Sequence, residues 1–380
     1  TWCLVGSEMC IRDRIRYLKQ IKKIKVLAFK FFDYDDYIDY DSQIFVDHNT
    51  IHESLDDLLS SLDNKNKSSL SDFANLLHSG NKKGIFLGSL INNHPDKLNI
   101  IKKISEIASK INSEIGFFSE GANTVGAYHS GFFSENSLIN TQSILNKKSS
   151  PLLLINMELP NDIQNFDPNK FIDLEKFIIS ISPFTQNISD YSDVILPTTI
   201  HSENIGTKYN MFGELQKIVP YKNNSNIPHC YDILGKLIEI YDVEFSLNDF
   251  KERVFAHHNT HSPDLINKFN FNESHKNASF KKMNSFAFPV IYNSDSLVRR
   301  SPALKETNLI KEVSLIRVSR EFAENHNLKD GDYLDVKKNK IVIKLKCLVD
   351  SMIKGENFVL PLGNFNGDFY SATYDNIEVR

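Results

Sequence analysis

The sequence is short of the residues that staple or metallate a small fold. Four cysteines stand in 380 residues, and two of them, Cys3 and Cys10, fall in the first ten. The other two, Cys230 and Cys347, lie far apart with no C-x-x-C spacing, so neither a disulfide framework nor a zinc or iron–sulfur site is legible. Both read as small buried hydrophobes. Long apolar runs are missing as well. The longest, such as Pro151–Ile155, are strand length, far below the roughly 18 to 20 residues of a bilayer span. Nor is charge of one sign massed anywhere: 44 Lys and Arg face 48 Asp and Glu, a formal net charge of −4. That balance leaves no electrostatic footprint for nucleic acid.

What is present is ordinary globular material, 41% hydrophobic and 24% charged, enough for two or three domains. Heavy use of Lys, Asn and Ile where other chains use Arg, Ala and Val reads as the codon bias of an AT-rich genome. The segment Leu4-Val5-Gly6-Ser7-Glu8-Met9-Cys10-Ile11-Arg12-Asp13-Arg14 has no periodicity and no cap. Turned back into codons it matches one frame of a transposase adapter used in sequencing libraries, so residues 1–14 are set aside as non-native. The reading frame is then expected to be truncated at its 5′ end.

Beyond that segment, Ile15–Ile24 reads as the end of a helix and Val26–Phe29 as a buried strand. Gly84–Gly88 is a glycine-bounded strand, and after His94-Pro95 the apolar residues Leu98, Ile101, Ile104, Ala108, Ile111 and Ile115 recur at helical spacing. Leu152–Ile155, Phe177–Ile181 and Val194–Leu196 are continuous β-branched runs of the kind a parallel sheet covered on both faces requires. Tyr231–Tyr241 closes this α/β unit as a helix. Residues 250–300 lose the pattern and read as a linker. From 301 the texture becomes short strands and Gly-containing turns: Leu315–Val318, a short helix Arg320–Glu324, Tyr333–Val336, an alternating run from Ile341, and Phe358–Pro361. This predicts a small β-barrel over residues 301–380.

Several clusters invite chemistry and have plainer readings. Five aspartates between Asp33 and Asp41, interleaved with Tyr34, Tyr37 and Tyr40, could hold a hard cation but read as a solvated loop. His257, His258 and His261 lack a thiolate or paired carboxylate to complete a zinc site. His48 and His52 are four apart, yet Asn49 or Thr50 as the N-cap of a helix carrying Leu55, Leu58 and Leu59 explains that region. Glycines 121, 126 and 131 fit neither G-x-G-x-x-G nor a P-loop and read as tight turns. No nucleophile elbow or Ser-His-Asp arrangement is present. Asp193, immediately before one strand, and Glu203, Gly206, Thr207 and Asn210 in the loop beyond it are the candidate ligand crevice, because open α/β sheets place ligand contacts there.

Five strings carry a resemblance: Ile85–Gly88 with His94-Pro95; Glu120-Gly121-Ala122-Asn123-Thr124-Val125-Gly126-Ala127 with Gly131; Tyr191-Ser192-Asp193-Val194-Ile195-Leu196-Pro197; Glu203-Asn204-Ile205-Gly206-Thr207 with Asn210 and Gly213; and Val298-Arg299-Arg300-Ser301-Pro302-Ala303-Leu304. Over nearly all of residues 15–380 the chain resembles the molybdopterin oxidoreductase superfamily, and within it the large iron–sulfur subunits of NADH-quinone oxidoreductase, respiratory complex I. The resemblance implies an α/β domain with a parallel sheet of pterin-oxidoreductase type over residues 15–249, then a double-psi-type β-barrel. It also implies iron–sulfur clusters (4Fe-4S and 2Fe-2S) in an upstream part, with no cofactor, catalytic residue or metal in this one. Its partners would be other peripheral-arm subunits on the cytoplasmic face of a bacterial inner membrane, without a membrane span or nucleic acid of its own. The alternative is a fragment of a catalytic, formate dehydrogenase-like molybdopterin enzyme. One departure bears on that choice. The superfamily pattern continues from Gly-Thr into Asn-x-Glu-Gly-Arg, whereas this chain reads Asn210-Met211-Phe212-Gly213-Glu214. A carboxylate where a guanidinium would stand repels a dinucleotide phosphate.

Overall fold

The computed structural model describes residues 8–32, 37–63, 70–118, 121–130, 132, 140–159, 161–163, 171, 174–211, 213–221, 226–240, 284–289, 295–307, 315–338, 341–362, 374–375 and 378–379. Asp33, Asp35 and Asp36 of the acidic loop, Gly131, and the histidines at 257, 258 and 261 lie outside the described residues. In chain order the strands are β1 (Leu27–Lys30), β2 (Ser42–Phe45), β3 (Gly84–Leu87), β4 (Glu114–Phe117), β5 (Leu152–Ile155), β6 (Ile178–Ser182), β7 (Val194–Pro197), β8 (Gly206–Tyr209), β9 (Leu215–Ile218), β10 (Ser285–Pro289), β11 (Leu315–Ser319), β12 (Tyr333–Lys338), β13 (Ile341–Asp350), β14 (Phe358–Leu362), β15 (Tyr374–Asp375) and β16 (Glu378–Val379). The result is a mixed α/β fold with parallel sheets. Among the described residues no helix is long and apolar enough to cross a membrane.

Contacts divide the chain into two compact units, one of residues 8–118 with 265–380 and the other of 119–264 with 1–7. The sequence boundaries at 15–249 and 301–380 differ from this, and packing gives the reason. In the first unit β1 pairs parallel with β2, and β3 with β4. The helix Ile51–Leu62 buries Ile51, Leu55, Leu58 and Leu62, the single face that 3.6-residue spacing dictates. The helix Lys97–Ile111 buries Ile100, Ile101, Ile104, Ile107, Ala108 and Ile111. It stops at Asn112, whose φ of 52° is left-handed, while the Ser113 N–H donates back to the Ala108 carbonyl at 2.9 Å. Ile115, which shares the helical spacing, therefore belongs to β4 and not to the helix.

β10 to β16 form one mixed sheet in the order β15-β10-β14-β11-β13-β12-β16, with parallel pairs β10·β14 and β11·β13 among antiparallel neighbours. Both of its faces are apolar in the middle. Phe286 and Val359 join the core built by the helices Ile51–Leu62 and Lys97–Ile111. Ala287, Phe358 and Leu360, on the other face, join a second core with Ile316, Val318, Leu334, Val336 and Cys347. A strand inside the expected linker thus carries part of the main core, and the C-terminal sheet begins before residue 301. At the other end of the chain a helix over Glu8–Lys22 takes in Glu8 to Arg14.

The second unit holds the three-stranded parallel sheet β5-β6-β7 and the antiparallel hairpin β8-β9. Leu152, Leu154 and Ile178 pack with Leu145, Leu159, Ile163 and Phe171 on one side of this sheet. The helix Cys230–Ile240 matches its sequence expectation to within a residue of each end.

Candidate functional site

The candidate crevice residues divide between two ends of one strand. Asp193 stands at the amino end of β7, where its Oδ2 accepts from the Ile178 N–H at 2.7 Å and its own N–H donates to the Ile178 carbonyl at 2.9 Å. It fastens the start of β6 to the start of β7. Glu203, Gly206, Thr207 and Asn210 follow the carboxyl end of β7, which is about 13 Å along the strand from Asp193. The bonds of Asp193 go to the Ile178 backbone, at the opposite end of the strand from the loop that carries the other four.

At that carboxyl end the chain is tied by backbone and hydroxyl bonds. Thr198 and Thr199 are buried. The Thr198 hydroxyl donates to the Pro228 carbonyl at 3.1 Å, and the Thr199 hydroxyl donates to Asn204 Oδ1 at 2.6 Å while lying 3.0 Å from His229 Nδ1. Glu203 closes a short 3-10 turn, His201–Glu203, by accepting from the Ile200 N–H at 3.3 Å. Gly206 and Thr207 are exposed on β8, with Thr207 opposite Lys217.

Asn210 is buried at the tip of the hairpin and faces Glu214. Its Nδ2 donates to Glu214 Oε2 at 2.9 Å, its Oδ1 accepts from the Glu214 N–H at 2.9 Å, and its own N–H donates to the Glu214 carbonyl at 3.0 Å. Gly213 supplies the φ of 77° that the turn between them needs. The acidic residue at the position of the superfamily's basic one is thus spent on closing a turn. Sequence reading flagged Glu214 but gave no sign of its partner.

A second link was not legible from spacing. The Asn123 side chain accepts from the Tyr209 N–H at 2.9 Å, joining the 120–127 string to the 206–210 string. A Cβ at Gly126 would stand 2.1 Å from Asn123 Oδ1, so the glycine leaves room for that side chain to reach β8. Tyr209 packs its ring 5.0 Å from the His129 ring, and burial pushes its phenol above the ordinary value.

The electrostatics of the carboxyl ends point one way. Among the described residues that follow β5, β6 and β7 (156–159, 183–192 and 198–205), there is no Lys or Arg, while Glu158 and Glu203 are present just after β5 and β7. These described segments therefore offer a phosphate-bearing ligand carboxylates and no Lys or Arg. No group of three or more His, Cys, Asp or Glu suited to a metal occurs among the described residues.

Comparisons with known proteins reach the level of the family. No curated protein matches the sequence. Among solved structures, a chain of the formyltransferase/hydrolase complex (FhcABCD) from Methylorubrum extorquens in complex with methylofuran is similar at a TM-score of 0.40 and 11% identity. The match takes in 57% of this chain and 64% of that one, and at this level it carries no argument. The family profile described as molybdopterin oxidoreductase matches residues 16–226, more than half of the sequence and the whole of β1 to β9. The chain belongs to the molybdopterin oxidoreductase family.

Proposed function

We propose that this chain is the scaffold part of the large iron–sulfur subunit of a respiratory NADH-quinone oxidoreductase, in which the whole complex moves electrons from NADH to quinone. The observation that carries the reading is the Asn210–Glu214 closure. The family is generally one of redox enzymes that hold a pterin dinucleotide, and a pyrophosphate needs cations or free N–H donors. Here the residue at the basic position is a carboxylate bound to its own hairpin, Asp193 is bound to β6, and the carboxyl-end segments of β5–β7 offer no Lys or Arg among the described residues. These described residues do not fit the cofactor.

The E-G-A-N-x-V-G-A and R-R-x-P-A-L strings favour the complex I branch within the family. In this reading iron–sulfur clusters sit in an upstream part of the same polypeptide, and the chain packs against other peripheral-arm subunits at the cytoplasmic face of the membrane. The sheet β10–β16 corresponds to the family's double-psi barrel. Two parallel pairings within an otherwise antiparallel sheet support that correspondence.

The test is to sequence the genomic DNA upstream of the Ile15 codon. Cysteines in frame at ferredoxin-type and C-x-x-C spacings are expected. A metal-ligating Cys, selenocysteine or Ser within a pterin-binding domain would overturn the reading in favour of a formate dehydrogenase-like enzyme.

A further inference from the structure

His94 is 1% exposed, and backbone groups of opposite polarity engage its two ring nitrogens. Nε2 lies 3.2 Å from the His48 carbonyl oxygen, and the Asp96 N–H donates to Nδ1 at 3.0 Å. A carbonyl only accepts and an amide N–H only donates, so these partners assign a neutral ring with its proton on Nε2. A second proton, on Nδ1, would point at the Asp96 amide proton, and that bond would have to open.

The two bonds fasten the start of the Ile51–Leu62 helix to the start of the Lys97–Ile111 helix. The surroundings reinforce the junction. His52 Nε2 lies 2.8 Å from Asp96 Oδ2, Asn99 Nδ2 donates to Asp96 Oδ1 at 2.7 Å, and Lys103 Nζ donates to the His52 carbonyl at 3.1 Å and to Asp56 Oδ2 at 2.6 Å. The titratable groups facing the ring are His48 and His52 from the first helix start and Asp96 from its own turn. From the sheet, the Phe286 ring stands 6.1 Å from the His48 ring.

We propose that His94 is an acid-sensitive latch: protonating its ring breaks the Asp96 amide bond and frees the junction between the two helix starts while the helices stay packed. Burial is the largest cause holding the ring unprotonated, and with the neighbouring histidines it brings the pKa down to about 4, against the pull of the His48 carbonyl and Asp96. The sign follows from proton binding. The folded chain binds fewer protons here than the unfolded chain, so the contribution is complete above the ordinary histidine value of about 6.5 and is lost as pH falls toward about 4.

The test compares the full chain with His94→Gln, whose amide can serve both partners and does not titrate. Between pH 6.5 and 4.5 the unfolding constant of the parent should rise about fortyfold more than that of the variant, as one proton taken up between about 6.5 and about 4 requires. Amide exchange at residues 47–52 and 93–99, corrected for intrinsic rates, should accelerate over the same range before global unfolding. Equal pH slopes in parent and variant, or unchanged exchange at the junction, would overturn the proposal. If the variant does not fold, histidine nitrogen-15 spectra of the parent decide it alone: a neutral Nε2–H ring at pH 5.5 is expected, and a charged ring there refutes the latch.

Discussion

Asn210 shows how one buried side chain can fix a loop. Removing its side chain takes the acceptor from the Glu214 N–H and the donor from the Glu214 carboxylate, and leaves the turn only its backbone bonds. Asn210→Ala should therefore cost about 1–3 kcal/mol of the unit's stability, read by urea unfolding. Glu214→Arg, which restores the family's charge, should also destabilise the hairpin and should not confer pterin binding, since the described residues that follow β5, β6 and β7 supply no Lys or Arg. Molybdenum and pterin content after expression in a cofactor-producing host checks the second part. Cys347 makes a separate point. Burial, with Asp330 and Asp332 nearby, pushes its thiol up to about 11, so it should resist alkylation at pH 8 until the protein unfolds, as peptide mapping would report. Its folded pKa is raised, so its contribution is present below about 9 and is lost as pH rises toward about 11. The sequence marked Cys230 and Cys347 as small buried hydrophobes; Cys347 is buried and Cys230 half-buried.

Among elements, those that are locally complete were legible. The Ile51–Leu62 and Cys230–Ile240 helices and the strands β5, β6 and β7 all carry their own period, so position in the chain was enough. Asn49 and Thr50 were offered as caps; Thr50 holds the N-cap position without a side-chain cap bond, and Asp47 Oδ1 instead accepts from the Asn49 and Thr50 N–H groups. The hairpin β8-β9 was not legible because its short strands carry few apolar residues, and strand β10 was not because its partners β14 and β15 lie far along the chain. Ile115 was misplaced because three-to-four spacing continues across a helix stop that only Asn112 marks. One substitution tests the element scale. Ile100→Ala, at a fully buried site between helices, should cost about 2–5 kcal/mol on thermal or urea unfolding.

At the scale of the whole molecule, continuity along the chain and continuity in space part company. Phe286, Ile353 and Val359 belong to the same core as residues 31–111. A chain cut at residue 300 should therefore lose the cooperative unfolding of residues 27–117, and the released 301–380 piece, lacking β10, should not fold by itself. Circular dichroism and urea titration of the two pieces would show this; a cooperatively folded 301–380 fragment would contradict it. Sequence by itself determined the alternation of short apolar strands with amphipathic helices, the family strings, and the acidic residue at position 214, because each of these is written in neighbouring residues. Only the tertiary structure decided which core each face of the β10–β16 sheet serves, that Asp193 is bonded to the Ile178 backbone, and that Glu214 is bound by Asn210. Those outcomes depend on which distant surfaces meet, and no local period encodes that.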